Sequence, residues 1–371
     1  MKNDLLKKRQ VFESWLMDEL SKEVFEARLE YDMHPTLDGM IKLYILSEKL
    51  SDEEQKQLKN WRNTFRQILG RNKVFLYGAG TCGQFIAKLI LDAGEDFTGF
   101  CDCRYRDYPN GLFGKPVYPP EYLLENKDKC YVATAVNLMS VRKDMTNFLV
   151  KNGFPEEHIL PFFYRCGTKK GRQGNNNQYF DFPELYPQDT AFVDGGAYDG
   201  QTGLAFAKWC KDKYSKIFAF EPDRVNYRMC CENVKNNGRI EVINAGLGEL
   251  PGVATFYAGG ASGSHIVAEE MAWSYQANVA EEIKIVSLDD FTKDTTIGFI
   301  KLDVEGAELD ALRGARNTIL RDKPFLAVSV YHKPGDVLEI MNYLQELNLG
   351  YRFWLRHYDF WSWETVLYAS V

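Results

Sequence analysis

"TAFVDGGAYDGQTG", residues 190–203, runs as an apolar strand into Asp194 and then into a loop with glycines at 195, 196 and 200. A second stretch, "KVFLYGAGTCGQF" (73–85), has the same grammar. Both read as a strand, a glycine loop and a helix, the unit with which open α/β sheets meet a nucleotide at the carboxyl ends of their strands. One chain therefore holds two α/β units. The difference between them lies in the residues after each loop.

After the later loop, successive strands end on groups suited to a nucleoside. "FAFEPD" (218–223) ends at Glu221, where a carboxylate grips both hydroxyls of a ribose. "VINAGLGE" (242–249) places Asn244 and Ala245 at the edge of a base. "IKLDVEGAEL" (300–309) brings Asp303 and Glu305 to the mouth, and "SVYHKPG" (329–335) adds His332 at the rim. Asp194 precedes G-G-x-x-x-G rather than G-x-G-x-x-G. A sulfonium nucleoside has no phosphates to cradle; its loop needs close backbone approach at glycine and an anion near its ammonium, the part assigned to Asp194.

The ordered series "FVDGGAYDGQT" (192–202), "FAFEPD", "VSLDDF" (286–291) and "IGFIKLDVEGAELDALRGA" (297–315) resembles the FkbM family of S-adenosylmethionine-dependent methyltransferases over roughly residues 190–370. The resemblance implies a seven-strand methyltransferase fold and O-methylation, with a sugar hydroxyl as the default acceptor. It points to Asp194, Gly195 and Gly196 for the methionine-side loop, with Ala197 beside them. Glu221 falls to the ribose, with Pro222, Asn244 and Ala245 in the same cofactor set. Asp303 and Glu305 fall beside the transferred methyl. An unactivated hydroxyl must also lose a proton, so a general base is needed. Asp303, Glu305, Glu308 and His332 are the candidates, with Glu308, a turn into the next helix, read as structural. Asp303, Glu305 and Glu308 also suit an oxygen-rich Mg²⁺ set, but spacing alone does not make them converge, and no metal is expected.

In the earlier unit, Gly78, Gly80 and Gly83 complete G-x-G-x-x-G, and Asp102 ends the next strand where a ribose carboxylate belongs. This small Rossmann-like unit carries the alternatives: an NAD(P)- or nucleotide-sugar-binding protein, or a non-catalytic nucleotide-binding scaffold. No Tyr-x-x-x-Lys pair accompanies the loop, which speaks against hydride transfer.

The organisation expected from the 371 residues is a helical segment (1–70), a small Rossmann-like domain (71–165), a polar linker (166–189) and a methyltransferase domain (190–371). Ser51 and Glu54 form a capping box ahead of a helix whose Leu58, Trp61, Phe65 and Ile68 share a face. These helices need a surface to bury that face, either the neighbouring domain or a second subunit in a homodimer. Hydrophobic residues at 45% and charged residues at 26% fit packed domains. A net charge of −7 disfavours a nucleic-acid partner, and no run of 18 apolar residues spans a membrane. The charged N-terminus is not a signal peptide, and eight cysteines without paired CxxC spacing read as reduced, cytoplasmic thiols. An antiparallel insertion is expected near 250–287, its Gly259, Gly260, Ser262, Ser264 and His265 forming either an acceptor lid or a plain turn. Trp354, Tyr358, Trp361 and Trp363 are read as core packing ahead of sugar stacking.

Overall fold

The computed structural model describes residues 9–48, 50–136, 138–160, 178–258, 279–359 and 361–371. The chain divides into two compact units. One takes residues up to Leu29 together with Gln173–Val371, and the other takes Glu30–Arg172.

The Glu30–Arg172 unit is built on a five-stranded sheet. Its strands are β1 (Lys73–Tyr77), β2 (Gly99–Cys101), β3 (Val117–Tyr118), β4 (Cys130–Thr134) and β5 (Ile159–Leu160), in the order β3-β2-β1-β4-β5. All pairs are parallel. Phe75, Val132, Leu123 and Leu149 form part of its core. The helix Asp52–Arg71 starts at the expected capping box, with Ser51 N donating to Glu54 Oε2 at 2.8 Å. It buries Leu58, Phe65 and Leu69 and uses Arg62 to pair Asp38 and Glu95.

The larger unit carries a seven-stranded sheet. Its members are β6 (Ala191–Gly195), β7 (Ile217–Phe220), β8 (Ile240–Ile243), β12 (Ile297–Leu302), β13 (Phe325–Ser329), β14 (Arg352–His357) and β15 (Thr365–Ser370). Three further strands, β9 (Gly246–Leu247), β10 (Gly252–Ala258) and β11 (Val279–Val286), make a separate small sheet. The large sheet has the order β14-β15-β13-β12-β6-β7-β8. The two closing runs do pair antiparallel, but β15 inserts between β13 and β14, so the edge strand is β14. Strands β6, β12 and β13 are buried along their whole length and so on both faces, which explains their continuous apolar reading. The described ends of the 250–287 insertion form the β10–β11 hairpin. Gly259, Gly260, Ser262, Ser264 and His265 lie outside the described residues.

Two expected boundaries differ from this arrangement. Residues 1–70 are not one segment: residues 15–17 pair with edge strand β14, Met17 N donating to Phe353 O at 3.0 Å and Phe353 N to Trp15 O at 3.2 Å. Phe12, Val24 and Phe25 are buried there, and Asp18 pairs with Arg356 at 2.7 Å. This covers an edge that would otherwise offer unpaired amides. Nor do residues 178–189, the described part of the expected linker, behave as one, because Tyr179, Phe180 and Tyr186 enter the main core. Their aromatic content outweighs the polar glycine- and asparagine-rich composition before them.

Gly196 has φ +75°, and a Cβ there would collide with the Asp303 carbonyl. Gly196→Ala is therefore expected to cost about 2–4 kcal/mol of unfolding free energy. Urea titration followed by circular dichroism measures it; a loss within 0.5 kcal/mol, taken as roughly the background of harmless substitutions, would refute the packing argument.

Candidate functional site

The centre of the large sheet is an ion pair between adjacent strands. Asp194 on β6 stands in register with Lys301 on β12, and both side chains are buried. Lys301 Nζ lies 3.0 Å from Asp194 Oδ1 and donates to the carbonyls of Gly195 at 2.9 Å and Gly196 at 2.7 Å. Two of the ammonium hydrogens thus go to loop carbonyls, and Asp194 is held to Lys301 as an ion pair. Burial pushes the Asp194 carboxyl up against the pull of Lys301. Burial also opposes the charge of Lys301, but Asp194 and then Asp303 hold it above the usual lysine value. Asp194, expected to anchor the cofactor's ammonium directly or through water, is 0% exposed with Lys301 beside it, and Lys301 holds the loop carbonyls.

The loop's glycines answer to the protein itself. A Cβ on Gly195 would sit 2.8 Å from Leu302 Cδ2, and one on Gly200 2.8 Å from Val234 Cγ1. The amides of Gly196 and Ala197 both donate to Phe220 O at 3.0 Å. Close approach here is strand against loop.

Glu221 is where the sequence puts it, at the end of β7. Its Oε2 accepts from Tyr198 N at 2.8 Å and its Oε1 from Asp223 N at 2.9 Å. Burial pushes it up to about 7, although both backbone bonds favour the carboxylate. Each oxygen retains a lone pair, so the fixed carboxylate can still accept from a diol. Asn244 is exposed beside it and donates to the carbonyls of Glu221 at 2.9 Å and Pro222 at 3.0 Å. Ala245 is buried and Pro222 half-buried. The donor and acceptor set at these strand ends suits a ribose with its base.

Beyond β12 the chain turns through Asp303, Val304 and Glu305, the last at φ +57°. Asp303 Oδ2 accepts from Tyr179 OH at 2.8 Å and Oδ1 from Tyr331 OH at 3.1 Å. Burial, then the charge of Asp303, holds both phenols well above their usual range, so they keep the protons they donate to Asp303; Tyr179 OH also accepts from Gln178 Nε2 at 3.0 Å. Glu308 is 1% exposed, and its Oε1 accepts from Val304 N at 2.9 Å and Gly306 N at 3.3 Å.

His332 lies amid these acids. Nδ1 is 2.9 Å from Glu308 Oε1, while Nε2 is 3.3 Å from Glu305 Oε2 and 3.6 Å from Asp303 Oδ1. Burial alone would lower its pKa, but Glu308 chiefly, with Glu305 and Asp303, holds it well above the usual value. The ligand-free imidazole is therefore protonated near neutrality and takes no proton until it has lost one. Atoms of Asp303, Glu308 and His332 lie within 4.8 Å of one another, so convergence occurs with His332 in place of Glu305. A metal there would have to displace the imidazolium's protons.

Besides Lys301, three contributors were not singled out from sequence. Tyr179 comes from the stretch read as linker, and Tyr331 is the neighbour of the chosen histidine. Glu364 accepts from Gln178 and is pushed up to about 7 by burial and Asp303. It is reached because β15 runs antiparallel, so its first end meets the last ends of β12 and β13. The closing aromatics serve packing: Trp354 and Tyr358 lie against the core, and Trp361 is buried.

In the other unit, Gly78 has φ +116° and would meet Ala135 O at 2.7 Å, and a Cβ on Gly83 would collide with Gly78 O. Asp102 accepts from Ala79 N at 2.7 Å and Arg104 N at 2.8 Å, tying the loop to β2. Gly80 is the open position, with Arg104 Nη2 at 4.0 Å from where its Cβ would stand. No helix of the described residues is long and apolar enough to cross a membrane, and their cysteines are all free thiols.

Residues 194–353 match the family model described as the methyltransferase FkbM domain. A curated relative, Methyltransferase 1 of Beauveria bassiana (strain ARSEF 2860), is 28% identical over 156 residues, 35% of this chain and 59% of the relative. The chain thus spans about three-fifths of that protein's length. Among solved structures, a methyltransferase FkbM from Methylobacillus flagellatus KT aligns over 86% of this chain and 98% of its own, at 20% identity and TM-score 0.49. Aeropyrum pernix fibrillarin with natively bound S-adenosyl-L-methionine aligns over 50% of this chain and 67% of its own, at 15% identity and TM-score 0.31.

Removing one member of the central pair leaves a buried charge without its partner. Lys301→Met should destabilise by about 3–5 kcal/mol, and the double variant Asp194→Leu/Lys301→Met should regain most of that. Chemical denaturation of all three proteins decides it. A double variant no more stable than Lys301→Met would show that the two charges do not act as a pair.

Proposed function

We propose that this chain, which carries a methyltransferase FkbM domain over residues 194–353, is an S-adenosylmethionine-dependent O-methyltransferase acting on a hydroxyl of a sugar or glycan precursor. The observation that carries the reading is the convergence of strand ends. β6, β7, β8 and β12 are joined in one sheet, and their carboxyl ends present the 195–197 loop, Glu221, Asn244 and Asp303. That edge is where open α/β sheets take their ligands.

Glu221, fixed by two backbone amides, would hold the ribose hydroxyls, with Pro222, Asn244 and Ala245 beside the base. The 195–197 loop, propped by Lys301, would lie along the methionine portion. When bound, S-adenosylmethionine supplies a methyl carbon on a positively charged sulfur. Asp303 and Glu305 carry negative charge to the side of the site where that sulfonium belongs, and Tyr179 and Tyr331 keep Asp303 in place. His332 is the residue that would receive the acceptor's proton. Its carboxylate surroundings favour the protonated form, and a nearby sulfonium opposes it, so cofactor binding itself would prime the base. A sugar hydroxyl fits because the acidic mouth repels a phosphate at the reacting end while leaving acceptors for neighbouring hydroxyls. A cytoplasmic setting and a place in polysaccharide biosynthesis belong to the same reading.

Calorimetry with S-adenosylmethionine and S-adenosylhomocysteine tests it, followed by a screen of polyol and nucleotide-sugar acceptors with labelled cofactor. Absence of binding by the folded protein would overturn the assignment. Glu221→Ala should raise the dissociation constant at least about tenfold, from the loss of hydrogen bonds to a charged group. Unchanged affinity would remove Glu221 from the ribose.

A further inference from the structure

We propose that Glu308 is the positioning residue for His332: it retains the proton on Nδ1, so that Nε2 is the nitrogen that faces the acceptor and takes its hydroxyl proton. The proposal rests on the methyl-transfer reading of the same site and assigns a part to a residue whose sequence position alone suggests only a helix start.

The three acids around His332 are not equivalent. Glu308 is 1% exposed and anchored by two backbone amides, and it stands 2.9 Å from Nδ1. A charge held in so poorly solvated a place acts strongly on its neighbour. Glu305 and Asp303 are 31% and 23% exposed and flank Nε2 at 3.3 and 3.6 Å. Those distances are long for a charge-assisted hydrogen bond, which runs to about 2.9 Å. In the ligand-free structure both ring nitrogens are buried and neither meets hydrogen-bond geometry; Nδ1 has the closer, more buried and backbone-anchored carboxylate, while Nε2 is on the side of the two more exposed ones. An orienting carboxylate behind one imidazole nitrogen, with the other nitrogen free to work, is the arrangement that fixes a histidine's tautomer. Bonds of this kind tighten when the substrate complex forms.

The remaining charged and titratable groups facing this ring do not take over the role of Glu308. Asp336, in the helix after β13, accepts from Lys333 N at 2.8 Å and is pushed up to about 7 by burial and by Glu308. Lys333 directs its ammonium to Gly306 O. Tyr331 donates to Asp303. Glu364 accepts from Gln178. None of these contacts places a fixed acceptor behind Nδ1.

In the step itself the hydroxyl proton passes to His332 Nε2, and the oxygen forms its new bond to the methyl carbon. The carbon–sulfur bond breaks with its electron pair going to sulfur, which becomes a neutral thioether. The Nε2 proton then leaves to solvent, and Nδ1 stays protonated throughout.

The test needs no knowledge of the acceptor. The chain has five histidines, so ¹⁵N-histidine labelling with long-range ¹H–¹⁵N spectra in chelator-treated buffer, from about pH 6 to pH 10, resolves each ring, and His332→Gln assigns the signal. In the wild type, neutral His332 should be the Nδ1–H tautomer. In Glu308→Gln, whose amide oxygen can still cap Val304 and Gly306, the signal should titrate at lower pH and shift toward the Nε2–H tautomer. Glu308→Asp serves as the conservative variant and should keep the wild-type tautomer. A wild-type Nε2–H tautomer, or an unmoved midpoint in Glu308→Gln, would overturn the proposal, as would the same changes appearing in Glu305→Gln instead. With an active acceptor, Glu308→Gln should lower kcat about 10- to 100-fold at unchanged KM and move the alkaline rise of activity to lower pH. Failure of the methyltransferase reading would appear separately, as wild-type protein that does not bind S-adenosylmethionine.

Discussion

The site depends on the buried pair between Asp194 and Lys301. The two residues face each other across β6 and β12, the strands on which both the glycine loop and the Asp303 turn depend. Two of the three ammonium hydrogens go to the carbonyls of Gly195 and Gly196. That draws the loop down until Gly196 lies against the Asp303 carbonyl, while Asp303 N donates back to Gly195 O at 3.0 Å. An apolar pair of equal volume could fill the same space without the cost of desolvating two ions. It could not direct two loop carbonyls. The pair is accordingly better understood as fixing a conformation than as supplying stability.

That conformation sets the electrostatics of the mouth. Asp303, Glu305 and Glu308 all lie within one turn and a helix start, and His332 answers them from the end of the next strand. Two phenols, Tyr179 buried and Tyr331 half-buried, donate to Asp303 and leave its charge in place while restricting where it can point. On the proposed reading this excess of carboxylate has a use. It complements a sulfonium, and it couples that cation's arrival to release of a proton from His332. A site with one carboxylate fewer would bind the cofactor less strongly and would also start from a less protonated base. Cofactor affinity and base readiness are thus adjusted against each other by the same residues.

Much of this was legible in the sequence because parallel strands obey a simple rule: the residues just past each carboxyl end collect at one edge. Glu221, Asn244 and Asp303 come directly after strands of the large sheet, and His332 follows β13 after Val330 and Tyr331. The rule fails where position depends on topology or on side-chain competition. Glu364 precedes its strand, so it reaches the edge only because β15 is antiparallel, and nothing local announces that β15 inserts beside β13. Tyr179 comes after a polar, glycine-rich run whose composition hides a residue buried by tertiary packing. Asp194 sits in the right place, but its partner lies 107 positions later, and only the β6–β12 register shows that Lys301 claims its charge. The burial of Glu308 was equally invisible, since a glutamate at a helix start reads as a cap.

The two glycine loops make the same point from the other direction. Their spacing looks like a ligand signature, yet Gly78, Gly83, Gly195, Gly196 and Gly200 each lack room for a Cβ because of the protein's own atoms. The crowding atoms belong to a neighbouring strand's end at Gly78, Gly195 and Gly196, to the loop itself at Gly83 and to the helix Arg224–Val234 at Gly200, so packing of the fold alone selects glycine. Of the positions in the earlier motif, Gly80 is the one whose missing side chain opens onto space. Glycine spacing therefore reports how tightly a loop is folded onto its sheet. Chemistry has to be read from the polar groups that gather at the sheet's edge, and in the larger unit these are the carboxylates and the imidazole that follow β7, β12 and β13.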